Sequence, residues 1–244
     1  MANRQLIHVR LPHSRMDWLI LALALLTLAL AIPRTLASFN ALHPETIRQE
    51  SKLLPDSSYL DAIRESKQAI DWTSEAEYWH TQAQLLLKHL KKPDLNAHEQ
   101  RDIVEQAIAA TENGLRLSPV DPFAWQRLML LRQALEMDEQ QVVSAFKASL
   151  YAGRVEPELA MPRIRLGYEL QAHLDTEALD LWLKQIPVAY QFSFNELVQW
   201  SAKHPDTQML VQKALATEPE KAALFNKAFE LAILSLTVNQ PKQH

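Results

Sequence analysis

The stretch Gly114 to Arg132, "GLRLSPVDPFAWQRLMLLR", decides how this chain is read. Three punctuating residues, Gly114, Pro119 and Pro122, are followed at once by an apolar run that carries Trp125. A carboxylate at Asp121 accepts from the free amides of a helix N-terminus, and Pro122 then takes the first helical position, where a missing N–H costs nothing. The stretch therefore reads as the end of one helix, a stop, and the capped start of another. An acid followed by Pro recurs at Glu156–Pro157 and Glu218–Pro219, where the negative charge also suits the helix dipole.

Outward from this joint, the chain beyond Leu42 is a succession of amphipathic segments with polar breaks and no period-2 run of β-branched residues. The expected class is all-α. Helices are predicted over 44–54, 58–71, 74–92, 97–117, 121–135, 139–152, 156–173, 176–186, 193–204, 206–216 and 218–237. "KKPDLNAHEQ", Lys91 to Gln100, is the most polar break of the first half and reads as an insertion between helix pairs.

Composition narrows the function classes. Three Gly in 244 residues, against about 17 at average usage, leave almost nothing for a phosphate-cradling loop. The absence of Cys excludes disulfides, thiol nucleophiles, Cys-based zinc sites and lipobox attachment. The first 40 residues carry four Arg and one Asp, and the remainder 21 basic and 28 acidic residues. An acidic body without a basic stripe gives nucleic acid no positive footprint.

Trp18 to Ile32, "WLILALALLTLALAI", holds no charge, with Arg4, Arg10 and Arg15 before it and Pro33–Arg34 after it. Met16 to Phe39 reaches spanning length only if Asp17 and Arg34 extend toward the headgroups. The Arg excess on the N-terminal side places residues 1–15 in the cytoplasm and the body outside it, which in a bacterium is the periplasm. A cleaved signal peptide is the rival reading, since "ALA" at Ala29–Ala31 offers small residues, but an Ile-Pro would follow the cut. The expected organisation is a cytoplasmic N-terminus at 1–15, a transmembrane anchor at 16–37, a linker with the first helices at 38–96, repeats at 97–173 and C-terminal helices at 174–244.

The repeats rest on spacing. From Pro119, Trp125 and Leu128 stand where the tetratricopeptide repeat (TPR) places helix A Trp and Leu, and Ala107 and Gly114 fall on the small positions of the preceding helix B. Ala145, Ala152 and Pro157 repeat those offsets, and Leu166–Gly167 then falls on the Leu-Gly pair. The repeat length from Pro119 to Pro157 is 38 residues, Met129 replaces the helix A Gly, and Arg163 stands where Trp is due. The chain thus resembles a degenerate TPR-like α-hairpin array, an α-solenoid, behind an N-terminal transmembrane helix.

A narrower resemblance rests on "GLRLSPVDPFAWQRLMLLRQAL" and "SAFKASLYAGRVEPELAMPRIRLGYEL". These are similar to the Leu-Ser-Pro-x-Asn/Asp-Pro-x-Ala-Trp-x-Arg-Leu, Leu-x-x-Ser-Leu and Glu-Pro-Glu-Leu segments of the VpsP-like exopolysaccharide biosynthesis family, over about Gly114 to Leu170. The resemblance implies an inner-membrane, periplasm-facing accessory protein of polysaccharide assembly or export, without catalytic residues to carry over.

Chemistry finds little footing. No two of the nine His stand at the i, i+4 spacing of a metal pair, and no Ser has a nucleophile-elbow setting, so no catalytic, metal or cofactor residue is assigned. Trp72, Trp79, Trp125, Trp182 and Trp200 lie on apolar stripes and are expected in the core, with sugar stacking as the competing reading. The candidate partner groove comprises Phe123, Gln126, Arg127, Leu130 and Gln133 from one helix A and Ile164, Arg165, Tyr168 and Gln171 from the next, with Arg127 and Arg165 at equivalent repeat positions. Either Arg has a nearby acid to pair with, Asp121 or Glu169. The partner expected is a membrane-embedded or periplasmic protein of a polysaccharide machinery. The alternatives are a glycan-binding or glycan-processing helical protein and a generic envelope assembly chaperone.

Overall fold

The computed structural model describes residues 14–238, which are helical without a strand; the Arg4 and Arg10 part of the expected cytoplasmic N-terminus lies outside them. The chain divides into two compact units, 1–94 and 95–244. The division falls inside the polar break Lys91–Gln100.

The first unit is a three-helix bundle. Its α1, Arg15–Gln49, opens with a capping box in which Ser14 and Asp17 each accept from the other's backbone amide. One 18-residue window of α1 has a mean hydropathy of 2.2 with none of it buried, so α1 is long and apolar enough to cross a membrane. Within the apolar run the Thr27 hydroxyl donates to the Leu23 carbonyl, and just beyond it the Thr35 hydroxyl donates to the Ala31 carbonyl, which keeps both paired without water.

The expected separate helix at 44–54 is corrected: α1 runs on to Gln49 through both Pro33 and Pro44. An interior Pro costs a helix about 3 kcal/mol. Packing offsets that cost here, because Ala37, Pro44 and Ile47 are buried against α2, Asp56–Trp72, and α3, Ala76–His89. Ile47, Tyr59, Ala62 and Leu85 form the core of this bundle. The Arg34 to Glu75 contact at 3.9 Å and the His43 to Glu65 contact at 2.8 Å together set α2 antiparallel to α1, while the Ser38 and Tyr78 hydroxyls, 3.5 Å apart, and Lys88 donating to the Ile47 carbonyl at 3.2 Å set α3 parallel to it.

The second unit contains α4 (Ala97–Leu117), α5 (Pro122–Ala134), α6 (Glu139–Ala152), α7 (Pro157–Leu170), α8 (Thr176–Leu183), α9 (Gln185–Phe192), α10 (Phe194–Lys203), α11 (Gln208–Ala214) and α12 (Pro219–Val238). Short 3-10 turns lie at Gln171–His173 and Pro205–Thr207. The expected single helix 176–186 is corrected to α8 and the start of α9. Pro187, in the first turn of α9, has no amide to offer Leu183, so the helix breaks at Lys184 and α9 turns to pack on α7.

The buried positions of α4 and α5 coincide with those of α6 and α7 at an offset of 35 residues, where 38 was expected. Pro122 and Pro157, each at the first position of its helix, are 35 residues apart. At that offset the buried residues of α4 fall on those of α6: Ala107 on Val142, Ala110 on Ala145, Gly114 on Ser149 and Leu115 on Leu150. Those of α5 fall on α7 likewise, Ala124 on Leu159, Leu128 on Arg163 and Met129 on Ile164. Pro119 lies in the turn before α5, whereas Pro157 begins α7. At the 35-residue offset Arg127 falls on Pro162 and not on Arg165. A second core runs from Ala160, Met161 and Ile164 of α7 through Ile186, Leu197, Val211 and Phe225, so packing is continuous across the expected boundary at 173.

Candidate functional site

The exposed flank of α5 and α7 is positioned by local chemistry at the two joints. The Ser118 amide donates to the Gly114 carbonyl at 2.9 Å and closes α4. The Asp121 carboxylate accepts from the Phe123 and Ala124 amides at 2.9 and 3.0 Å. The Trp125 indole N–H then donates to the Pro119 carbonyl at 2.8 Å, tying the new helix to its own entry turn. α7 starts from Glu156 without a side-chain cap, and Pro157 sets its first turn.

Of the nine candidate groove residues, two are corrected. Gln126 is 6% exposed and Ile164 is 1% exposed, so neither presents a surface to a partner. Both sit on the stripes that face inward at the 35-residue register. Phe123, Leu130, Gln133 and Arg165 are exposed, and Arg127, Tyr168 and Gln171 are half-buried. One hydrogen bond links the two helices, the Gln133 amide donating to the Glu169 carboxylate at 3.3 Å.

On α7 the candidate side chains turn toward neighbours further along the chain. Arg165 pairs with Glu196 of α10 at 2.6 Å, rather than with Glu169. The Tyr168 hydroxyl donates to Asp206 at 2.6 Å, and this bond raises the pKa of the phenol above its ordinary value. Its ring meets Trp200 and His204 edge-on at 5.6 and 5.4 Å, and those two rings stack on each other at 5.0 Å. Tyr168, Trp200 and His204 are all half-buried. The result is a partly open aromatic cluster beside a carboxylate, suited to the apolar face and hydroxyls of a sugar or to an aromatic side chain.

The Trp expectations divide. Trp182 is in the core at 2% exposed, Trp79, Trp125 and Trp200 are half-buried, and Trp72 is corrected to an exposed residue at 48%. Among the described residues, no group of three His, Asp or Glu is arranged to hold a metal ion.

The sequence reading missed the polar node around Arg163, which is wholly buried. Its guanidinium donates to the Gly153 carbonyl at 2.7 Å, the Gln185 side chain at 3.1 Å and the Ser149 hydroxyl at 2.9 Å. The Ser149 hydroxyl in turn donates to the Pro122 carbonyl at 3.0 Å, joining α5, α6, α7 and α9. Burial pushes the Arg163 pKa down to about 10, far enough above neutral for the group to stay charged. A legible signal existed, since Arg163 lies on the same helical face as Ala160 and Gly167. Val120 and Val155 were missed too. Each precedes an acid–Pro helix start, and they are 73% and 66% exposed.

Compared with protein-family models and with curated proteins, the chain matches none.

Proposed function

We propose that this protein is a membrane-anchored, periplasm-facing TPR-like adaptor of bacterial exopolysaccharide biosynthesis or export. It acts by holding a membrane-embedded or periplasmic partner of that machinery, not by catalysis. The 35-residue recurrence of buried positions supports the array reading, because successive helical hairpins of one repeat produce such a period. The apolar, unburied window of α1 supports the anchor, and the Arg distribution supports an inner-membrane orientation with the N-terminus in the cytoplasm. The polysaccharide setting rests on the VpsP-like resemblance between Gly114 and Leu170.

The partner surface is Phe123, Leu130 and Gln133 on α5, continued by Arg165 and Tyr168 on α7. Phe123→Ala with Leu130→Ala in the full-length chain is expected to abolish cross-linking to the polysaccharide machinery and to lower polymer output, with protein abundance unchanged. Undiminished cross-linking and output would remove this surface from the reading.

A second reading has its own observation in the Tyr168, Trp200, His204 and Asp206 cluster, which has the makings of a sugar platform. Saturable binding of the producing cell's polymer to the purified chain, lost in Trp200→Ala, would favour glycan handling over the adaptor.

A further inference from the structure

The helix that is apolar enough to cross a membrane does not end where its apolar part ends. From Arg34 to Gln49 the same α1 forms one wall of the first bundle, so the depth of each bundle residue follows from its position beside α1. Three contacts set that alignment. Arg34 meets Glu75 at 3.9 Å, the Ser38 and Tyr78 hydroxyls are 3.5 Å apart, and His43 meets Glu65 at 2.8 Å. The turn between α2 and α3 is thus level with Arg34, the first charge after the apolar run.

Helical rise converts this alignment into depth. A headgroup layer is about 5–8 Å thick on each side of the hydrocarbon, and five residues of helix advance about 7.5 Å. With Arg34 at the hydrocarbon edge, the layer takes in α1 as far as Phe39. Phe39 is 73% exposed there, and Trp72, at the last position of α2 next to the turn, is 48% exposed. Water gives an indole and a phenyl ring no reason to face outward at this level. The headgroup layer does, because it receives the apolar body of an indole while its N–H finds a polar partner.

We infer that the α2–α3 turn, with Trp72 beside it, is a second membrane contact that lies in the headgroup layer next to the end of the α1 span. The inference rests on the anchor reading. Its lipid preference follows from charge: Asp71, Glu75 and Glu77 make the turn acidic, so contact comes from aromatic insertion and not from attraction to anionic lipid. Glu75 also offsets the charge of Arg34 where that residue leaves the apolar layer. The bundle is held to the bilayer at two points, the span and the turn, which restricts its tilt on the span.

Because the chain has no Cys, single spin labels test this directly. The full-length protein in phosphatidylcholine vesicles is labelled at Asp71→Cys, which keeps Trp72, at Leu26→Cys within the apolar run, and at Ser57→Cys. Ser57 lies near the other end of α2, about 22 Å of helix away from Trp72. Collision with oxygen relative to a water-soluble nickel chelate is expected to be highest at position 26, intermediate at 71 and aqueous at 57. Adding Trp72→Ala is expected to move the label at 71 toward the aqueous value. A label at 71 as aqueous as that at 57, with 26 in the bilayer, overturns the second contact alone. Indifference of the label at 71 to Trp72→Ala overturns the assignment to Trp72. An aqueous or missing label at 26 overturns both the contact and the anchor.

Discussion

The indole of Trp182 lies across the helix at Gly167: a Cβ at that position would overlap Cδ1 and Nε1 of the ring. The indole N–H donates to the Ile164 carbonyl at 3.2 Å, so the ring is held where it leaves no room for a side chain. Gly167 is thus required by a close approach between α7 and α8.

Gly167→Ala is expected to destabilise the second unit by roughly 3 kcal/mol or more, the upper end of overpacking costs, because ring and backbone cannot both stay in place. Thermal unfolding of the detergent-solubilised full chain, followed by far-UV circular dichroism, measures it. Trp182→Leu alone leaves a cavity and also destabilises, but the double variant should recover part of the loss, since the smaller side chain admits the new methyl. A double variant no better than either single one would show that the contact is not the cause.

Arg163 gives a different kind of prediction. Arg163→Met keeps much of the volume but strands the Gly153 carbonyl and the Gln185 side chain, at a cost of roughly 2–4 kcal/mol. Arg163→Lys should lose nearly as much, because an ammonium cannot reach acceptors spread over two helices and a loop. Urea titration of the same preparation ranks the three proteins. Equal midpoints would mean that the node contributes nothing net after desolvation.

Asp121 caps α5 through two amides. Asp121→Ala is expected to cost about 1 kcal/mol, whereas Asp121→Asn retains an acceptor and should cost less. Hydrogen exchange at the Phe123 and Ala124 amides reports it locally, with faster exchange in the Ala variant than in the Asn variant.

Asp175 titrates with a defined sign. The hydrogen bond from Lys147, then that from the Ala178 amide, holds its carboxyl below the ordinary value of 3.8. A depressed folded-state pKa contributes stability that is present above the unfolded value and lost as pH falls through the folded one. The start of α8 should therefore loosen only below pH 3.8. The Ala178 amide shift reads the titration, and Lys147→Met should move its midpoint upward. An unmoved midpoint would assign the depression to the helix cap instead.

Some of this was written in the chain order alone. The scarcity of Gly, the amphipathic period and the acid–Pro starts determined an all-helical protein, and α4 and α6 begin and end where caps and breaks predicted. The apolar run before Pro33 likewise identified the one helix, among the described residues, that is long and apolar enough to cross a membrane. These are local properties, set by which residues cap, break or line one face of a helix. Tertiary structure decided what each face meets. Pro33 and Pro44 do not stop α1 because α2 and α3 pack on its second half, a stabilisation no local signal records. Gln126 and Ile164 left the candidate surface because periodicity marks a stripe without saying what covers it. Arg163 became a buried node, and Trp72 an exposed ring, for the same reason: burial belongs to the partner helix, and the partner is chosen by packing.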